Sequence, residues 1–280
     1  MSAEAVTTEE KSAARRGKPK AQANLRVVSG VQIDPSRDAL LTDFGKKTLD
    51  DRYVLPGESY QQMFARVATA YADPDDVGHA QRIYDYISKL WFMPATPVLS
   101  NGGADRGLPI SCFLNGVSDS LDGIVETWNE NVWLASNGGG IGTYWGEVRS
   151  IGEKVGQNGQ TSGIIPFIRV MDSLTLAISQ GSLRRGSAAC YLDIFHPEIE
   201  EFLEIRKAAG DFNRKSLNLH HGINITDDFM IAVRDGTPFG LRSPKNGEVV
   251  KTTDARKIWQ KIIELRLQTG EPYIIFSDTV

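Results

Sequence analysis

After residue 94 the chain alternates strand-like and helix-like segments, and this alternation is the feature that most restricts how it can fold. A glycine turn at 137–142 runs into a short strand, and a helix is predicted over 164–179. A strand at 191–195 precedes a helix at 197–206, and a strand at 217–225 precedes a helix at 226–235. A long helix over 255–269 then leads to a strand at 273–276. Parallel strands need a crossover of a dozen or more residues, usually helical, so this order points to a parallel α/β sheet or barrel. In such folds ligands sit at the carboxyl ends of the strands, where the loops gather. With its last strand at the C-terminus and no helix after it, the barrel reads as incomplete.

Upstream the pattern is helical. A helix is predicted from about Glu58, since Phe64, Val67, Ala68 and Tyr71 fall at i, i+3, i+4 and i+7. Asp73-Pro74-Asp75 stops it. A second helix places Ile83, Ile87, Leu90 and Trp91 on one face and ends at Met93-Pro94. Residues 25–57 hold short apolar runs and the turn Leu55-Pro56-Gly57. The expected organisation is a disordered tail over 1–23, a helical domain over 24–93 and an α/β domain over 94–280.

Several function classes are disfavoured. With 31 basic against 35 acidic residues the net charge is −4, the wrong sign for a protein that coats nucleic acid. No run of about 18 apolar residues is present, so no membrane span is expected. The N-terminal residues lack the apolar core of a secretory signal. Two cysteines, Cys112 and Cys190, make no disulfide scaffold and suggest reduced thiols in the cytoplasm. The adjacent His220-His221 would point to opposite faces of a strand, and no histidine has metal-ligand spacing, so no protein metal site is expected.

Three local features remain open when taken singly. Glycines 138–140 and 142 could bring backbone N–H groups close to a phosphate, or could simply make a tight turn. Arg184-Arg185, flanked by glycine and serine, could recognise phosphate or base edges, or could be an exposed pair in water. A lone cysteine such as Cys112 is ordinarily a small buried hydrophobe, whereas a redox role needs an exposed thiol with a partner. Cys190 reads as core. Ser118 or Asp119 is the expected cap of a helix over 120–136.

Taken together, the segments stop being independent. Seven stretches matter: Met93-Pro94-Ala95-Thr96-Pro97, Ile110-Ser111-Cys112-Phe113-Leu114 and Asp119-Ser120-Leu121-Asp122-Gly123 come first. Gly139-Gly140-Ile141-Gly142, Arg149-Ser150-Ile151-Gly152, Gln180-Gly181-Ser182-Leu183-Arg184 and Gly270-Glu271-Pro272-Tyr273 complete the set. In order and spacing they resemble the large subunit of ribonucleotide reductases, over nearly the whole of 38–280. The resemblance implies an N-terminal helical domain followed by the first half of a ten-stranded α/β barrel. It also implies reduction of ribonucleotides to deoxyribonucleotides by radical chemistry, for DNA synthesis.

The same resemblance assigns roles residue by residue. Cys112 corresponds to the first of two cysteines oxidised to a disulfide as the 2′-hydroxyl is lost. Thr96, Ser111, Gly139 and Gly140 correspond to positions that hold the substrate. Asp119, Ser120, Arg149, Gln180 and Arg184 correspond to positions that hold an allosteric dNTP or ATP effector, with its magnesium, and relay its identity. No cofactor is expected on this chain alone. The radical would come from a separate metal-containing small (beta) subunit, with adenosylcobalamin as the alternative source. Other expected partners are the C-terminal remainder of the large subunit, a second copy paired through the effector-site helices, and a thioredoxin-type reductant. The radical-bearing Asn-x-Cys-x-Glu segment does not occur in the chain, so it is expected to be inactive without a complement. A dNTP-binding half-barrel without chemistry is the competing reading.

Overall fold

The computed structural model describes residues 30–157, 159–180 and 184–280, and the tail expected at 1–23 lies outside them. The chain divides into two compact units, one reaching to Phe92 and including Gly102–Asp105, the other made of Met93–Asn101 and Arg106–Val280.

The first unit is helical. A 3-10 turn, Pro35–Leu40, precedes α1 (Asp43–Arg52), α2 (Tyr60–Ala70) and α3 (His79–Ser88). Ser59 begins α2 through a capping box with Gln62, which satisfies two backbone donors that the helix leaves without partners. Phe64, Val67 and Ala68 are buried as the spacing predicts, and they lie in the α2–α3 core with Met63, Tyr84 and Ile87. Tyr71 falls just beyond the helix and is half-exposed. The helix α1 went unread because it buries only Leu49, too little to leave a periodic apolar stripe. α3 ends at Ser88, before Leu90, which adopts a left-handed backbone with φ 59°.

The second unit opens with α4 (Thr96–Asn101), in a stretch whose glycine and proline content suggested loop. It continues through β1 (Cys112–Gly116), α5 (Leu121–Ser136) and β2 (Gly140–Tyr144). Two short strands, β3 (Lys154–Val155) and β4 (Gly159–Gln160), precede α6 (Ile165–Ala177). Another pair, β5 (Ser179–Gln180) and β6 (Arg184–Arg185), leads to β7 (Ser187–Asp193) and the single-turn α7 (Ile199–Phe202). Then come β8 (His220–Ile225), α8 (Asp227–Asp235), the hairpin β9 (Pro238–Arg242) and β10 (Val249–Asp254), α9 (Ala255–Thr269) and β11 (Tyr273–Phe276).

Five strands form one sheet in the order β1-β2-β7-β8-β11, and every neighbouring pair is parallel. Because side chains alternate across a strand, the sheet has two unlike faces. Ile141, Ala188, Cys190, Leu192, Ile223 and Ile225 are buried in the helix-covered core. Cys112, Leu114, Tyr191 and Tyr273 stand on the opposite face. Glycine shapes that face: a Cβ at Gly142 would lie 2.6 Å from Leu114 Cδ2, and one at Gly222 would lie 2.6 Å from the Tyr191 ring. The two glycines leave the room in which Tyr191 lies flat across the sheet.

Three sequence expectations change. The cap of α5 is Ser120, whose Oγ accepts from Gly123 N at 3.0 Å, and not Ser118 or Asp119. The helix expected over 197–206 is a single turn, and its apolar residues pack as irregular chain. Cys190 lies within β7, not before a strand beginning at 191.

Asp172 of α6 is fully buried and accepts from Asn218 N and Leu219 N, both at 2.8 Å, while Arg169 Nη1 pairs with it at 2.8 Å. It thereby fixes the chain entering β8. Asp172→Ala strands those buried donors, and the expected loss is about 3–5 kcal/mol of unfolding free energy, read from the urea midpoint. A midpoint within error of the parent would refute the assignment.

Candidate substrate and effector sites

The thiol site forms where β1 begins. Cys112 pairs in register with Gly140 of β2, and Gly140 N donates to Ser111 O at 2.7 Å. Ser111 Oγ lies 3.5 Å from Cys112 Sγ. Cys112 is exposed, whereas Cys190 is buried, and desolvation drives the Cys190 thiol far above the usual thiol range. At Gly139 a Cβ would sit 2.7 Å from the Phe113 ring, so glycine lets β2 approach β1 this closely. Thus Ser111, Cys112, Gly139 and Gly140 come together. Thr96 opens α4 and is exposed.

A second group meets at a cleft of about 520 Å³ lined by Asp119, Ser120, Arg149, Gln160, Thr161 and Phe167, among others. Arg149 Nε lies 2.9 and 2.8 Å from the two carboxylate oxygens of Asp119, and Arg149 N donates to Oδ1 at 3.1 Å. Arg149 Nη1 also donates to Lys154 O at 2.7 Å, which ties β3 to the pair. The Asp119 hydrogen bond raises the Arg149 pKa, so the guanidinium stays charged. Both side chains are about a quarter exposed, and pairs in such settings contribute on the order of 1 kcal/mol or less. A ligand carrying an anion and a hydroxyl can therefore replace the pair at small cost. Ser120 lines the cleft, but its oxygen also caps α5.

Gln180 and Arg184 pair with each other across the antiparallel β5–β6 ladder. The intervening Gly181–Leu183, part of the loop expected to relay effector identity, lies outside the described residues.

Two carboxylates escaped the sequence reading. Glu271, just before β11, bonds both histidines of His220-His221: Nδ1 of His220 reaches Oε1, and Nδ1 of His221 reaches Oε2 at 2.9 Å. Adjacent strand residues can share one carboxylate because Glu271 arrives from beyond the strand end. Burial opposes its charge, but the His221 and His220 hydrogen bonds outweigh it and hold the group at about 2. Glu198 accepts from Ile151 N and Ile164 N, both at 3.0 Å, and burial pushes it up to about 7. Neither carboxylate has a spacing signature. Among the described residues no cluster has the donors for a metal ion. No described helix is long and apolar enough to cross a membrane.

An all-helical unit leading into part of a parallel α/β barrel, with an exposed thiol on the open sheet face, defines the class of protein. The family model described as "Ribonucleotide reductase, barrel domain" matches residues 110–280, and the one described as "Ribonucleotide reductase, all-alpha domain" matches 39–107. The large subunit of ribonucleoside-diphosphate reductase from Invertebrate iridescent virus 6 is 40% identical over 260 residues, covering 90% of this chain and 26% of the viral protein. A putative ribonucleoside-diphosphate reductase large subunit from Frog virus 3 is 44% identical over 200 residues, covering 71% of this chain and 34% of that protein. The solved Actinobacillus ureae class Id ribonucleotide reductase alpha subunit superposes with a TM-score of 0.71 at 27% identity, covering 89% of this chain and 42% of that chain. The chain belongs to the ribonucleotide reductase large-subunit family. It spans about a quarter to a third of the length of these two viral relatives.

The contrast between the thiols predicts their reactivity. In the native protein iodoacetamide should modify Cys112 alone, with Cys190 reacting only after denaturation, as intact mass and peptide mapping would show. Equal native labelling of both would contradict the burial of Cys190.

Proposed function

We propose that this chain is the N-terminal portion of the catalytic subunit of a ribonucleoside-diphosphate reductase. The observation that carries the reading is Cys112. It is the exposed thiol of the two, and it stands on the open face of the parallel sheet beside Ser111 and the backbone of Gly139 and Gly140. In the proposed reaction the substrate 2′-hydroxyl leaves as water. Cys112 and a second thiol supply two electrons and become a disulfide. A C-terminal remainder supplies that second thiol and the cysteine that carries the radical. Thr96 and Ser111 hold the substrate from this side.

The radical originates in a separate metal-containing small subunit, with adenosylcobalamin as the alternative source, and a thioredoxin-type protein restores the dithiol. Domain limits of 24–93 and 94–280, and a cytoplasmic setting, belong to the same reading. A second copy would pair through α5 and α6, whose Leu121, Trp133 and Leu176 are each about two-thirds exposed, at 67%, 65% and 69%.

The effector site is the cleft between Asp119 and Arg149. Asp119 accepts from the ribose hydroxyl of a deoxynucleoside triphosphate, Arg149 takes phosphate, and magnesium arrives with the triphosphate. Gln180 and Arg184 pass the identity of the effector base to the substrate side. Coupling between the two sites would be reciprocal, each ligand changing the affinity for the other by the same factor. A purely binding role has one specific observation in its favour: Asp119 and Arg149 both lie within this chain, whereas Cys112 is a single exposed thiol.

Two measurements test the reading. Asp119→Ala should weaken calorimetric binding of magnesium dTTP by about 1.5–3 kcal/mol, the worth of a charge-assisted hydrogen bond. Unchanged affinity would reject the effector assignment. With a C-terminal complement and a radical source, Cys112→Ser should abolish multiple turnover without unfolding the protein. No turnover by the parent chain in any such mixture would leave the binding module as the function.

A further inference from the structure

The segment between Val148 and Ile164 forms one wall of the effector cleft, contributing Arg149, Val155, Gln160 and Thr161. Its ends are held by a turn from another part of the chain. His196 Nε2 meets Val148 O at 3.0 Å, and its Nδ1 accepts from Glu198 N at 3.1 Å. A single oxygen of Glu198, Oε2, then accepts from Ile151 N and Ile164 N, thirteen residues apart in sequence and both at 3.0 Å. His196 and Glu198 are both buried; the Ile164 bond is buried with them, and the Ile151 bond lies nearer the surface. Gly163 fits the arrangement: its φ is +82°, and a Cβ there would collide with the Glu198 carboxylate.

We propose that Glu198 is a positioning residue for effector binding, its carboxylate tying together the two ends of the loop that carries Arg149 and so setting the cleft opposite Asp119. The inference rests on the effector reading of that cleft. The loop's own backbone bonds, the β3–β4 ladder with Gly152 N to Thr161 O and Thr161 N to Glu153 O, both at 2.9 Å, stop short of Ile151 and Ile164, and the one carboxylate oxygen joins these two outer positions.

The electrostatics agree. Burial is the largest influence on Glu198 and raises it from 4.5 to about 7, against the two backbone donors that lower it. Glu201 of α7 also raises it, and Arg214, 3.9 Å away, lowers it. His196 is held neutral by its own burial. The sign follows: a carboxyl raised on folding costs stability that grows from pH 4.5 to about 7 and is constant above. An ordinary structural carboxylate would be lowered on folding and add stability instead.

The test uses the full chain with magnesium dTTP as probe, comparing Glu198→Gln and Gly163→Ala with the parent between pH 6 and 8.5. The parent should bind more tightly as pH rises through about 7, beyond the nucleotide's own titration seen with a non-binding control. At pH 8 Glu198→Gln should bind about tenfold more weakly, the scale of one charge-assisted hydrogen bond, and lose that pH dependence. Its melting temperature should be unchanged or higher, which a merely structural role would not give. Gly163→Ala, which displaces the carboxylate from the loop side, should weaken binding in the same direction. Hydrogen exchange at the amides of Ile151 and Ile164 should quicken about tenfold in both variants, while amides in β7 and β8 keep their protection. Parent-like affinity across the pH range in Glu198→Gln overturns the proposal, whether or not the amides are deprotected. If the parent chain fails to bind dTTP, the effector reading falls and the proposal with it, while the exchange data separately report whether the tie exists.

Discussion

Parallel strand pairing is the constraint on which the rest of the second unit depends. A parallel ladder cannot be closed by a tight turn, so each of the four pairs in β1-β2-β7-β8-β11 is joined by a crossover that must cover one face of the sheet. Those crossovers, α5, α6, the α7 turn and α8–α9, bury Cys190, Leu192, Ile223 and their neighbours on one side. They leave the other side to Cys112, Tyr191 and Tyr273. Apart from Thr96, which opens α4, the same requirement puts the functional candidates in segments near the ends of strands. Cys112 begins β1, Asp119 follows it, Arg149 follows β2, and Glu271 precedes β11.

Buried carboxylates carry much of the local order between these elements. Asp172 fixes the entry to β8, Glu271 collects two histidines at the start of the same strand, and Glu198 holds both ends of the loop beside the Asp119–Arg149 cleft. Each accepts at least one backbone N–H in a buried or partly buried setting. Irregular chain can thus pass through the interior without the orphaned donors that normally confine loops to the surface.

What the sequence disclosed follows from this division of labour. Long periodic elements were legible: α9 and β11 fall at the expected residues, and α2 buries Phe64, Val67 and Ala68 as their spacing requires. Elements stabilised by tertiary contact were not. α1 buries a single leucine, α4 lies in a stretch with the composition of a loop, and the β9–β10 hairpin follows α8 without an alternating signal. The proximity of Asp119 and Arg149 came from resemblance, because nothing in a thirty-residue separation predicts a pair. Glu198 and Glu271 were missed for a related reason. Their partners are mostly backbone amides and histidines from distant segments, and a backbone amide leaves no mark in a sequence.

The Asp119–Arg149 pair has a consequence for discrimination. Asp119 and Arg149 satisfy each other's charge. A bare phosphate that captured Arg149 would leave Asp119 unpaired and facing a second anion, so the gain on one side would be spent on the other. Only a molecule that presents an anion to the arginine and a hydroxyl donor to the carboxylate relieves both at once. For a ligand entering the proposed site, the pair would act as a coincidence filter. Inorganic phosphate alone would offer no hydroxyl to the carboxylate, whereas a sugar phosphate of the right span would offer both groups, so the pair would select by composition as well as by charge.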